Sequence, residues 1–221
     1  MKCLCLQLEQ LFETNVRMSK EIQNTEAVIL NAAKKIFKQK GLDGATVQDI
    51  ATEAGTTKSM VNYYFRSKEK LFAGVFREEF KNFFTVIISC LTSDLPLKEK
   101  IEKIVDLDID KLAAFPELPV FIINEVNRNP DIVFATVGTS QVTHLMETLT
   151  RQIAREARKG IIKKIKAEDL ILNIQALTVF PILAKPIASK ILNINEAQYF
   201  KKMQERKKQI VDMIWNYIKA E

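Results

Sequence analysis

Residues 54–71 read AGTTKSMVNYYFRSKEKL, and their side chains are suited to recognition. Lys58, Ser59, Asn62 and Tyr63 set an ammonium, a hydroxyl, a carboxamide and a phenol within two turns of chain. Groups of these types hydrogen-bond to base edges and phosphate oxygens. No general base or metal-ligand set stands beside them, so the chemistry is the reading of a hydrogen-bonding, anionic surface. Arg66, Lys68 and Lys70 follow at once and add positive charge.

Local signals place these groups on short helices. Thr46 is positioned to cap a helix with an inward face of Val47, Ile50 and Ala51, ending at Ala54-Gly55. Thr57 caps a second helix over Lys58 to Tyr64, held inward by Val61 and Phe65, and Ser67 caps a third. Two short helices meeting at an Ala-Gly turn have helix-turn-helix geometry. The second can lie in a major groove and offer its outward residues to base edges. Thr46 and Thr57 sit where helix N-termini meet phosphate. Tyr64 is partly a packing residue. Lys68 lies in the first turn of its helix, against the dipole, which a nearby phosphate would explain.

The stretch TVQDIATEAGTTKSMVNYYFRSKEKLF resembles the tetracycline-repressor (TetR/AcrR) family of bacterial transcription regulators. The likeness lies in a threonine, Ile-Ala, Ala-Gly, a hydroxyl cap, spaced aromatics and Ser-Lys-x-x-Leu, and it runs from Thr25 to Phe76. Thr56, Asn62 and Tyr63 depart from the residues usual in the family. The resemblance implies DNA contacts at Thr46, Thr57, Lys58, Ser59, Tyr63 and Lys68, with Asn62 and Tyr64 as further candidates. It also implies a homodimer, in which two C-terminal helices of each subunit form a four-helix bundle.

The elements that must position these residues read as all-α, about nine helices, with only six glycines and six prolines. A stripe Ile29, Ala32, Ala33, Ile36, Phe37 marks the first helix, with Thr25 as cap and Gly41 as stop. Apolar residues from Leu71 to Leu91 keep helical spacing for about six turns. Further helices are read over about 97–115, from Pro116 to Arg128, and within 132–159. The last two span about 168–192 and 196–219. We divide the chain into an extension at 1–22, a three-helix DNA-binding domain at 23–70, and a larger helical ligand-binding and dimerisation domain at 71–221. The dimer surface is expected on the last two helices, with stripes Leu170, Ile174, Leu177, Val179, Phe180 and Ile210, Met213, Ile214, Tyr217. The middle helices would enclose a largely apolar small molecule. Wall candidates are Phe84, Leu112, Phe115, Phe121, Ile122, Met146 and Phe180; polar anchors are Asn124, Glu125, His144 and Gln175.

Composition narrows the alternatives. A net charge of +6 favours an anionic partner, nucleic acid first, and the helix-turn-helix makes that partner double-stranded DNA. The three cysteines Cys3, Cys5 and Cys90 form no disulfide framework or zinc site, and a reducing cytoplasm fits them. No apolar run reaches the roughly 20 residues of a membrane span. A single histidine, no phosphate loop and no nucleophile motif argue against an enzyme, and no cofactor or metal is expected. Asp106, Asp108 and Asp110 echo a calcium loop, but Lys111 takes the place of its glycine. The competing reading is a helical interaction protein that keeps this fold without binding DNA.

Overall fold

The computed structural model describes residues 24–114, 118–128 and 130–220, which form eleven helices and one isolated bridge, Ile162 to Lys219. The extension at 1–22, Phe115 and Pro116 lie outside the described residues. The chain falls into two compact units, one ending at Glu78 and the other beginning at Glu79.

In the first unit, α1 is helical over 24–44, so Thr25 lies inside the helix instead of capping it. Gly41 takes φ 66, yet helix continues for three residues beyond it. Next come α2 (Val47–Glu53) and α3 (Lys58–Phe65), then α4 (Lys68–Thr92), whose first eleven residues belong to this unit. Ile29, Ala33, Ile36, Phe37, Ile50, Ala51, Val61, Leu71 and Phe76 are buried. Phe72 meets Phe37 edge-on at 5.0 Å.

The second unit holds the rest of α4 with α5 (Leu97–Ala114), α6 (Leu118–Arg128), α7 (Ile132–Val137), α8 (Thr139–Arg158), α9 (Ala167–Leu183), α10 (Lys185–Leu192) and α11 (Glu196–Ile218). Two breaks raise the count above the nine read from periodicity. Gly138, at φ 88, parts α7 from α8. The long C-terminal stretch bends by 70° between α9 and α10. Pro186 follows the bend and has no N–H to continue the helical ladder.

At the centre α5 packs on α9 and α11, burying Ile101, Val105 and Ile109 with Leu170, Ile174, Ile210 and Ile214. Asp106 and Asp110 leave this core on the outer side, where both pair with Lys207 at 3.5 and 2.6 Å. Lys100 is fully buried. Its Nζ donates to Leu91 O at 2.7 Å and to the amide oxygen of Gln152. Gln152 Nε2 in turn donates to Leu95 O and to Glu156 Oε1, at 2.9 and 2.8 Å. Removal from water pushes the Lys100 ammonium below its ordinary pKa. The network pins the α4–α5 turn to α8, since each buried polar atom named here has a partner.

Candidate nucleic-acid interface and ligand pocket

The helix-turn-helix is built from short-range interactions. Thr46 Oγ1 accepts from Asp49 N and Asp49 Oδ2 accepts from Thr46 N, both at 3.1 Å, closing a capping box at the start of α2. The Lys40 ammonium, 2.9 Å away, and the Thr46 contacts hold the Asp49 carboxyl below the usual carboxylate range. The Thr46 hydroxyl also donates to Asp49 Oδ2 at 2.8 Å, so its hydrogen-bonding capacity is used within the turn.

After Ala54 the chain reverses at Gly55, which takes φ 62, while Thr56 N donates back to Ala51 O at 2.9 Å. A Cβ at Gly55 would meet nothing within 4 Å, so the demand for glycine is purely conformational. Gly55→Ala is therefore expected to destabilise the first unit by about 1 kcal/mol, read as a lower urea midpoint at unchanged slope. An unchanged midpoint would show that the turn imposes no left-handed requirement.

Thr57 caps α3 by accepting from Met60 N at 3.2 Å, which leaves its hydroxyl proton for an outside acceptor. Val61 turns inward and is buried. Lys58, Ser59, Asn62 and Tyr63 turn outward and are exposed. Tyr63 is 63% exposed and Tyr64 half-buried, with their rings edge-to-face at 5.3 Å. The structure thus gathers six of the eight predicted DNA-contact residues onto or beside one short helix, with Thr46 and Lys68 set apart from it.

Lys68 has a partner inside the protein. Its Nζ donates to Leu42 O at 2.8 Å and Ala45 O at 3.2 Å, so the ammonium caps carbonyls at the end of α1. Its unfavourable place on its own helix dipole thereby gains an intramolecular reason. Arg66 was read from the sequence only as one charge in a run. It sits at φ 64, strained for a residue with a Cβ, and its guanidinium lies 5.9 Å from the Tyr63 ring centroid. That backbone geometry holds a cation at the C-terminal end of α3, and no local sequence rule signals it.

In the second unit, Phe84, Leu112, Ile122, Gln175 and Phe180 line one cavity of about 320 Å³, together with Phe83, Pro119, Val179 and Leu183. Five of the predicted ligand residues thus converge there. The others among the described residues do not line it. Phe121 is half-buried, Glu125 pairs with Arg128 at 3.7 Å, Asn124 and His144 are exposed, and Met146 packs against the core. Asp108, which the sequence shows only as one of three aspartates echoing a calcium loop, has a different place here. Asp108 is fully buried behind this wall, where Gln175 Nε2 and Thr178 Oγ1 donate to its Oδ2 at 3.0 and 2.8 Å. Its Oδ1 is buried without a partner among the described residues. Burial pushes the Asp108 carboxyl up to about 6, against the opposing pull of Thr178 and Gln175.

Two short helices joined at a left-handed glycine, the second with its polar face in solvent, define a helix-turn-helix DNA-binding protein. Comparison with known proteins agrees. The family described as bacterial regulatory proteins, tetR family, matches residues 29–75. The HTH-type transcriptional repressor NicS of Pseudomonas putida is 29% identical over 159 residues, 71% of this chain and 68% of that protein. The HTH-type transcriptional regulator RutR of Escherichia coli K12 is 24% identical, over 75% of this chain and 77% of its own length. A transcriptional regulator from Cytophaga hutchinsonii shares the fold, with a TM-score of 0.62 at 21% identity, over 88% of this chain and 98% of that one. Residues 29–75 thus carry the DNA-binding region of the tetR family, and over most of its length the chain is similar to HTH-type regulators of transcription.

Proposed function

We propose that the protein is a repressor which binds a palindromic operator as a homodimer and is released by a small, largely apolar molecule. The observation that carries this reading is α3, a short helix whose exposed face is almost wholly polar and whose inward face is anchored by Val61. One such helix reads few base pairs. A two-fold dimer reads two half-sites about 34–36 Å apart. On this reading residues 23–70 bind DNA and 71–221 bind ligand and the second subunit. Thr57, Lys58, Ser59, Asn62 and Tyr63 approach the groove, Arg66 faces phosphate, Thr46 and Lys68 hold the fold around them, and Tyr64 braces Tyr63. The name of NicS as a repressor supports the sign of regulation. The site of action is the cytoplasm, where bacterial DNA lies.

Exposed apolar residues favour a dimer through 168–192 and 196–219. Leu170, Ile174, Ile210 and Ile214, counted as dimer stripes in the sequence, are core residues. Large apolar side chains left to solvent on these helices include Leu172, Phe180, Ile187, Ile191, Met213 and Tyr217. A lone apolar side chain on a surface is ordinary, whereas several on successive helices point to a partner. Leu172→Glu combined with Ile191→Glu is expected to yield a folded monomer by analytical ultracentrifugation, with operator affinity lowered at least tenfold. A variant that remains dimeric would remove these helices from the interface.

Ligand release is a population shift. Driving the protein from 1:99 to 99:1 in favour of a form whose α3 helices miss the operator spacing requires about 5.5 kcal/mol of ligand preference. α4 is the element that runs from one unit into the other and can carry such a change. The direct test is a gel shift with the DNA flanking the gene. A retarded band that disappears when lysate extracts of apolar metabolites are added supports the whole reading. A folded protein that retards no such fragment would return it to the class of helical interaction proteins.

A further inference from the structure

We propose that the cavity of the second unit selects apolar molecules that end in a hydrogen-bond donor and rejects carboxylates, because buried Asp108 turns the Gln175 amide and sets a negative charge behind the wall. This inference rests on the cavity being the effector site. Among the described residues that line it, Gln175 is the one polar side chain and none is charged. Its amide is not free to choose its orientation. Gln175 Nε2 lies 3.0 Å from Asp108 Oδ2, and a carboxylate only accepts, so the N–H side must face Asp108. The carbonyl oxygen is thereby directed away from the carboxylate, and a bond from N–H to a charged acceptor makes it a stronger acceptor in turn.

Three further features sharpen the choice. Thr178 reinforces the arrangement from one turn along α9, its hydroxyl 2.8 Å from the same Oδ2. Asp108 lies one turn before the wall residue Leu112 on α5, so the charge is close to the cavity without being in it. Its Oδ1 has no partner among the described residues, so the charge is incompletely offset there. Behind an apolar wall an incompletely offset negative charge favours a ligand's hydroxyl, N–H or ammonium and opposes its carboxylate. Specificity then comes as much from repulsion of acids as from attraction of donors.

The test uses three probes of equal carbon number: nonyl alcohol, its isomer methyl octyl ether, and nonanoate. Each is titrated calorimetrically into the full-length protein at about pH 8, where Asp108 is ionised. The alcohol is expected to bind about three- to tenfold more tightly than the ether, as for one hydrogen bond, and nonanoate weakest. Gln175→Met, which keeps the volume, should bring alcohol and ether to parity without weakening the ether. Asp108→Asn should narrow the alcohol preference and improve nonanoate binding. If ether and alcohol bind the parent equally, or if Asp108→Asn leaves all three affinities in order and ratio, the proposal is overturned while the cavity remains a ligand site. If none of the three probes binds, the assignment of this cavity as the effector site fails, and this inference with it.

Discussion

Lys58→Ala is expected to weaken operator binding by about 1–3 kcal/mol per half-site, hence about 2–6 kcal/mol for a dimer carrying the change twice, with folding intact. Lys58 is the first residue of α3 and is exposed. Nothing in the fold depends on it, since the cap belongs to Thr57 and the inward anchor to Val61. Its charge at a helix N-terminus is mildly unfavourable to the free protein, so removal should leave the thermal midpoint unchanged or slightly raised. On the proposed reading the same charge meets phosphates or base edges when DNA is bound. Two measurements separate its roles. A phosphate contact lowers the slope of log affinity against log salt by about one per subunit and affects all sequences alike. A base contact relaxes specificity at one position of each half-site instead. Tyr63→Ala should weaken binding in the same assay, because its exposed ring braces both Tyr64 and the Arg66 guanidinium. Undiminished affinity in both variants would remove α3 from the groove.

Asp108→Asn is expected to stabilise the second unit by about 2–3 kcal/mol at neutral pH, raising its melting temperature by roughly 5–10 °C. The cause is the cost of keeping a carboxylate dry. Its pKa is 3.8 in the ordinary state and about 6 when buried, so the folded protein binds this proton more tightly than the unfolded chain does. Where the native state holds the extra proton, stability falls as pH rises. The penalty is therefore absent below about pH 4, grows between 4 and 6, and is complete above 6. Asparagine keeps an oxygen for Thr178 and Gln175 to donate to, while losing the charge that the unpartnered Oδ1 leaves uncompensated. The gain should vanish in acid. Asp49, Glu69 and Asp110 have carboxyls held below the usual range, so their stabilising contributions also fall in acid, and variant and parent must be compared at each pH. A parent and variant that melt together at neutral pH would mean that the charge is solvated or compensated by another group. Loss of stability instead would mean that the carboxylate is a structural keystone. In either case its retention would need an explanation other than ligand choice.

The DNA-binding half was legible because its instructions are local. Thr46 caps with Asp49 three residues on, Thr57 with Met60, Ser67 with Lys70, and Gly55 supplies a backbone angle that its own lack of a Cβ permits. Each interaction spans one helical turn, the range over which sequence spacing is physical distance. The same reasoning stopped at Lys68 and Arg66. The partners of Lys68 lie 26 and 23 residues away, and the strain at Arg66 is imposed by the helices on either side of it.

Composition, caps and periodicity by themselves determined that this chain is helical, that residues 46–65 form a helix-turn-helix, and which side chains of the second helix face outward. Tertiary structure decided the rest. Asp106, Asp108 and Asp110 look alike in sequence, yet two face Lys207 and one is buried against Gln175 and Thr178. α9 is apolar nearly all round, so periodicity could not tell that Leu170 and Ile174 are core while Leu172 is left to solvent. The packing of α5, α8 and α11 against it chooses a face, because burial is a property of neighbours brought together by the fold and spacing along one helix carries no record of them.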